Sequence, residues 1–224
     1  MVLTPEQRRT VLRTGLIAFA LGTACFVALA LGHATHPSGH SFDFRVLSGV
    51  EELRAAWLTP LMRGMSAIGT ALVLYPLLLL AGLLLWWRRG EWLPGVLALL
   101  WLWLGQLVRV AINSGIARPR PQSSQLVHAS GYAFPSGHAS TSTIGYALLA
   151  LLLMRLVSRR WWWVLALVGV TVPVLVGLSR LYLGVHWPSD VVAGWAFGAA
   201  WVALGLLGFA VVSRSRLRGR QLDS

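Results

Sequence analysis

The sequence predicts an all-α integral membrane protein: six transmembrane helices, with a short amphipathic helix on the membrane surface between the first two. Three observations carry this expectation. Of 224 residues, 56% are hydrophobic and only 12% charged, with a mean hydropathy of +0.67, about half the charged share of soluble domains. Six stretches, roughly 14–32, 65–87, 91–112, 139–157, 161–179 and 190–212, reach the length of about 20 apolar residues that spans the hydrocarbon. The basic residues, all of them arginine, collect in alternate connections.

The first span follows "TPEQRRTVLRTG", which superficially suits a signal peptide. Leu31 and Gly32 lead into "HATHPSGH" instead of a small-x-small cleavage site, so a retained helix is expected. Cys25, the one cysteine, lies inside it and leaves no disulfide or cysteine-based metal site. In the following segment Phe44, Val46, Leu47, Val50, Leu53, Trp57, Leu58 and Leu61 recur near a 3.6-residue period, with Glu51, Glu52, Arg54 and Arg63 between them. That pattern predicts the surface helix, read as a cover without a catalytic role.

Arg88 and Arg89 separate spans two and three, and Arg155, Arg159 and Arg160 separate four and five. With Arg8, Arg9 and Arg13 at one end and Arg214, Arg216, Arg218 and Arg220 at the other, they share one side of the membrane. The positive-inside rule makes that side cytoplasmic, with both termini there. Residues 1–224 read as one membrane domain carrying a basic cytoplasmic tail over 213–224. The net charge of +12 then describes topology and contact with anionic lipid. It does not describe a nucleic-acid partner, because no basic stretch outside the lipid is interleaved with aromatics. Most of the 12 tryptophans sit near span ends, as aromatic belts do.

The opposite face receives residues 33–64, 113–138 and 180–189, which hold nearly all the chemistry. "NSGIARPRPQSS" opens the second of these segments. Pro119 and Pro121 stiffen it, so that Arg118 and Arg120 offer forks suited to phosphate oxygens. The segment ends in "YAFPSGHAST" at the start of span four. A helix start carries free N–H groups and the positive end of a dipole. Gly137 admits close approach, Ser136 can cap or donate, and His138 can hold a transferable proton. In "GLSRLYLGVHWPSDVVAG", Arg180 offers another fork and His186 precedes Asp190 by four residues. A carboxylate there fixes the imidazole tautomer and frees the other nitrogen as a nucleophile.

A second PSGH spans Pro37 to His40, but no long apolar helix follows it, and an ordinary polar loop is expected. Pro37 and Gly39 also break the spacing that would align His33, His36 and His40 on a metal.

These motifs resemble those of the type 2 phosphatidic acid phosphatase superfamily of integral-membrane lipid phosphatases. That pattern joins a lysine, six residues and Arg-Pro with Pro-Ser-Gly-His, and then Ser-Arg, five residues, His, three residues and Asp. Pro135–His138 match the second part, and Ser179, Arg180, His186 and Asp190 match the third. The first part departs: Asn113 stands in the lysine's place, and Arg109 lies one turn earlier. The resemblance implies a phosphatase acting on a lipid phosphate such as undecaprenyl diphosphate, phosphatidic acid or phosphatidylglycerophosphate, at the outer face of a bacterial inner membrane. It implies His186 as nucleophile, Asp190 orienting it and His138 as acid and base. Arg120, Arg180, Ser136, Gly137 and Asn113 would hold the phosphate, with Arg118, Arg109 and Ser179 as further candidates. No metal, other cofactor or obligate protein partner is implied. Two alternatives stay open: a phosphotransferase using the same site, and a homologue weakened by Asn113 that binds lipid only.

Overall fold

The computed structural model describes residues 4–35, 41–122 and 125–222, with side chains left aside at 34, 35 and 213–222. The PSGH at 37–40, with His36, therefore lies outside the described residues. Eight α-helices follow one another among the described residues: α1 Pro5–Thr35, α2 Ser41–Glu52, α3 Leu58–Ile68, α4 Ala71–Arg89, α5 Leu93–Ile116, α6 Gly137–Met154, α7 Trp162–Tyr182 and α8 Pro188–Leu222. Six stretches are long and apolar enough to cross a membrane: Pro5–His33, Ala71–Arg89, Leu93–Ile116, Gly137–Met154, Arg159–Tyr182 and Pro188–Val212. They fall on the six expected spans.

The expected surface helix is α2, and a second short helix, α3, follows it. The break between them has a tertiary cause: Arg54 Nε donates to the Tyr182 carbonyl at 2.9 Å, and the Ala55 N–H donates to the Tyr182 hydroxyl at 2.9 Å. These bonds tie the turn to the end of α7.

Helix α6 is central, packed against α4, α5, α7 and α8, while α1 lies along α8. Leu74, Leu78 and Leu85 of α4, Leu102 of α5 and Ile144 of α6 are fully buried between them. In lipid each backbone polar group needs an internal partner, and α5 and α8 also supply partners to each other's indoles. The Trp101 indole donates to the Trp201 carbonyl at 3.1 Å and the Trp201 indole to the Trp101 carbonyl at 3.0 Å.

Where α6 and α8 meet, Gly194 permits the contact; a Cβ there would stand 2.8 Å from the Ser136 carbonyl oxygen. The approach brings the Ser136 N–H to the Asp190 carbonyl at 2.9 Å, joining two of the sequence motifs. At the other end of the bundle Arg8 Nε donates to the Ala210 carbonyl at 3.1 Å. The arginine-rich connections and the polar motifs thus occupy opposite ends.

Candidate active site

Four chain segments build one cavity of about 530 Å³ at the end where α5 and α7 finish and α6 and α8 begin. Helix α5 outruns its apolar stretch and carries Arg109 and Asn113 on one face, one turn apart. Arg109 Nε donates to Gln106 Oε1 at 3.0 Å, and the Gln106 amide donates to the Thr141 hydroxyl on α6. This chain fixes the guanidinium plane against the first turn of α6. A Cβ on Gly137 would lie 3.4 Å from Arg109 Nη1, so a side chain at 137 would wedge between the fork and the helix N-terminus.

The loop after α5 is held by the α7–α8 connection: the Trp187 indole donates to the Pro119 carbonyl at 3.1 Å, and the Leu126 N–H to the Leu183 carbonyl at 3.1 Å. Arg120 reaches into the cavity and knits its walls. Its Nε and Nη2 donate to the Gly131 and Ser130 carbonyls at 3.0 and 2.9 Å, and Nη1 to the Val185 carbonyl at 2.8 Å. Burial lowers its pKa, with Asp190 pulling the other way.

Arg120 Nη1 also lies 3.0 Å from His186 Nε2. A guanidinium only donates, so Nε2 must present its lone pair, which assigns the ring proton to Nδ1. Nδ1 is buried and faces Asp190 Oδ2 at 3.5 Å, longer than a hydrogen bond. Burial first, then Arg120 and Arg180, hold the His186 pKa well below its ordinary 6.5, against the opposing pull of the Ala133 carbonyl. Asp190 Oδ2 accepts the Trp187 N–H at 2.9 Å, and Oδ1 accepts from Arg118 Nη1 at 2.6 Å. Arg180 Nη1 donates to the Ser66 hydroxyl at 2.6 Å.

Of the candidate residues, Arg109, Asn113, Arg120, Gly137, His138, Arg180 and His186 line the cavity together. Four others stand off it. Arg118, expected as a phosphate fork, is 1% exposed and turns instead to Asp43 and Asp190, because a buried guanidinium demands carboxylate partners. Ser136 is buried, and its hydroxyl has no hydrogen-bond partner among the described residues. Ser179 donates back to the Val176 carbonyl of its own helix at 2.7 Å. Asp190 sits behind His186.

Asn113 differs from its expected role although it reaches the cavity. Its amide nitrogen donates to the Phe134 and Tyr132 carbonyls at 2.8 and 3.1 Å, which uses both amide hydrogens. It clamps the loop to α5.

Arg63, Ser66 and His128 also line the cavity, and sequence reasoning missed them. Arg63 and Ser66 lie one turn apart in "LMRGMS", and that spacing was their only signal. Among the described residues no three His, Cys, Asp or Glu side chains gather as a metal site would require.

A six-span helical bundle whose cationic cavity combines the motif residues His138, His186, Arg120 and Arg180 with Arg109 defines a membrane phosphatase class. Residues 94–212 match the PAP2 superfamily, and the chain belongs to it; it is a phosphatase, a hydrolase. It is 33% identical over 174 residues to phosphatidylglycerophosphatase B of Bacillus subtilis, covering 76% of this chain and 85% of that protein. It is 44% identical over 72 residues to an undecaprenyl-diphosphatase of Sulfolobus acidocaldarius, covering 32% and 31%. The crystal structure of a transmembrane PAP2 type phosphatidylglycerolphosphate phosphatase from Bacillus subtilis superposes with a TM-score of 0.76 at 28% identity, covering 88% of this chain and 96% of that one.

Proposed function

We propose that the protein hydrolyses the phosphomonoester or diphosphate of a membrane lipid through a phosphohistidine, without metal. The carrying observation is the placement of His186: Nε2 beside Arg120 at 3.0 Å in the cavity, and Nδ1 turned back toward Asp190. Nε2 attacks phosphorus, the P–N bond forms and the P–O bond to the lipid breaks as His138 delivers its proton to the leaving oxygen. His138 then takes a proton from water, whose oxygen attacks phosphorus; the P–N bond breaks and inorganic phosphate leaves. Arg109, Arg120 and Arg180, with the N–H groups at Gly137, balance the charge on the equatorial oxygens.

The substrate is a lipid phosphate: phosphatidylglycerophosphate or undecaprenyl diphosphate, after the relatives' names, or phosphatidic acid, after the superfamily that the motifs resemble. The protein is a multi-pass bacterial inner-membrane protein, with the arginine-rich connections and basic tail in the cytoplasm and the cavity on the outer face. Arg109 beside Gly137 argues against a decayed, binding-only homologue, since it returns a positive charge to the cavity that Asn113 does not carry.

The test is phosphate release by purified protein from these three lipids, with and without EDTA, beside His186→Ala. Release that survives EDTA and vanishes in His186→Ala is expected. No release from any of the three sinks the proposed substrate class, and loss with EDTA sinks the metal-free mechanism.

A further inference from the structure

Helix α2 packs over the α7–α8 connection through Phe44, whose ring meets Trp187 edge-on at 4.9 Å, and through Leu47, which is buried with Ala133 and Trp187. Between Phe42 and Phe44 stands Asp43, which is fully buried. Its Oδ1 accepts the Ser189 N–H at 2.9 Å, and Oδ2 accepts the Ser189 hydroxyl at 2.7 Å and Arg118 Nη2 at 2.8 Å. Arg118 Nη1 in turn donates to Asp190 Oδ1 at 2.6 Å and to the Ser189 hydroxyl at 2.7 Å.

One guanidinium thus spans two carboxylates, one on the surface helix and one behind His186. We propose that Asp43 is a positioning residue for the phosphatase reaction: it holds Arg118, which holds Asp190, which orients the His186 ring. The proposal rests on the nucleophilic role given to His186 above.

The physical argument has two parts. Arg118 cannot be solvated where it lies, so its direction is set by its partners alone; with Asp43 removed, the whole guanidinium charge falls to Asp190. Asp190 is then drawn toward Arg118 and away from Nδ1, which it already meets at 3.5 Å. The second part is charge. Two carboxylates and one guanidinium leave one negative charge behind the imidazole, and the imidazole becomes cationic as Nε2 bonds to phosphorus. Asp43 is ionised: burial alone would raise its pKa, but the Ser189 hydroxyl and N–H and the Arg118 fork outweigh burial and hold it below the usual value. Replacing it with a neutral residue removes that excess.

Replacing the orienting acid of a Ser-His-Asp site costs about 10⁴ in kcat, and Asp43 acts two steps further out, through Arg118 and Asp190, so about a tenfold loss is expected in Asp43→Asn. Asp43 bonds to Ser189 and Arg118, neither of which lines the cavity, so KM should stay within about twofold. Wild type and variant are compared on phosphatidic acid and phosphatidylglycerophosphate in detergent micelles, with thermal unfolding recorded. Equal kcat, or a loss matched by the folded fraction, overturns the proposal. If Asp43→Asn does not fold, Ser189→Ala cuts one tie between Asp43 and Arg118, and an unchanged kcat there is equally damaging.

Nitrogen-15 NMR of histidine-labelled, substrate-free protein separates this from the phosphatase reading, because it needs no turnover. With His186 assigned by its loss in His186→Ala, wild type should show one protonated and one bare nitrogen. In Asp43→Asn the Nδ1 shift should move as Asp190 is drawn from its proton, while Arg120 keeps Nε2 bare; unchanged shifts refute the positioning role whether or not any lipid is hydrolysed.

Discussion

Removing the Arg109 guanidinium and restoring charge at 113 tests where the missing lysine's work is done. Arg109 lines the cavity, its plane is set by Gln106 at 3.0 Å, and its Nη1 lies 3.4 Å from the Cβ position of Gly137. If that fork holds a phosphate oxygen in the transition state, one charge-assisted bond is lost in Arg109→Ala, worth about 1.5–3 kcal/mol. At about 1.4 kcal/mol per tenfold, kcat/KM for lipid phosphate hydrolysis should fall roughly 10- to 100-fold. Asn113→Lys in the same chain should recover at least about tenfold, because the added ammonium can enter the cavity that Asn113 already lines. In the wild-type background the same lysine should help little: it duplicates a charge and removes the amide that holds the Phe134 and Tyr132 carbonyls. The assay is steady-state phosphate release in detergent from all four proteins. Arg109→Ala within twofold of wild type, or a double variant no better than Arg109→Ala, refutes the reasoning.

Two further outcomes are expected. Because burial and the neighbouring arginines hold the His186 pKa well below 6.5, its neutral, nucleophilic form persists as pH falls through 6.5. The acid limb of kcat/KM, after division by the substrate's own ionisation near pH 6, should therefore lie below that value, and a limb at or above 6.5 contradicts the assignment. For topology, Ser130→Cys and Arg216→Cys, each made in a Cys25→Ser chain, should label from opposite sides in intact cells; labelling from the same side overturns the proposed orientation.

The spans were legible because apolar length answers directly to bilayer thickness, but their ends were not. The apolar stretch of α5 stops at 112, yet the helix runs on through Asn113 and Ser114 to Ile116. Hydropathy records where lipid ends, whereas backbone hydrogen bonding continues past it, and Asn113 consequently sits on a helix one turn above Arg109. Histidines 138 and 186 were legible from motif spacing, since a fixed separation on a helix start or tight connection fixes direction as well. The two Arg-Pro pairs were ranked by the spacing that the resemblance supplies, which counts from Asn113 to Arg120 and leaves Arg118 as a further candidate, and by nothing in the residues themselves. Arg118 and Arg120 are alike in sequence and differ only in what surrounds them after folding: two carboxylates for Arg118, backbone carbonyls and His186 for Arg120. Asp43 was hidden for the same reason. An acid in a helix's first turn is expected from the dipole alone, and its buried partners come from positions 118 and 189.

The placement of these charges has a consequence for how one imidazole serves both as nucleophile and as leaving group. Among the described residues the cavity lining includes Arg63, Arg109, Arg120 and Arg180 and no carboxylate, so the net charge in front of His186 is positive and favours an incoming phosphate. Behind the ring, Asp43 and Asp190 share Arg118, both carboxylates fully buried. Burial first, and then the front charge, oppose forming a cationic imidazole and lower its pKa; the rear charge opposes that penalty while the phosphoryl group is attached. Charge on the two faces of one ring therefore acts on different stages: the arginines on binding and on the phosphorus transition state, the acids on the nucleophile. Substitutions at the front should move KM and kcat together, and substitutions at the rear should move kcat alone. A rear variant that changed KM as much as kcat would mean that the faces are not separate, and that the buried carboxylates shape the cavity itself.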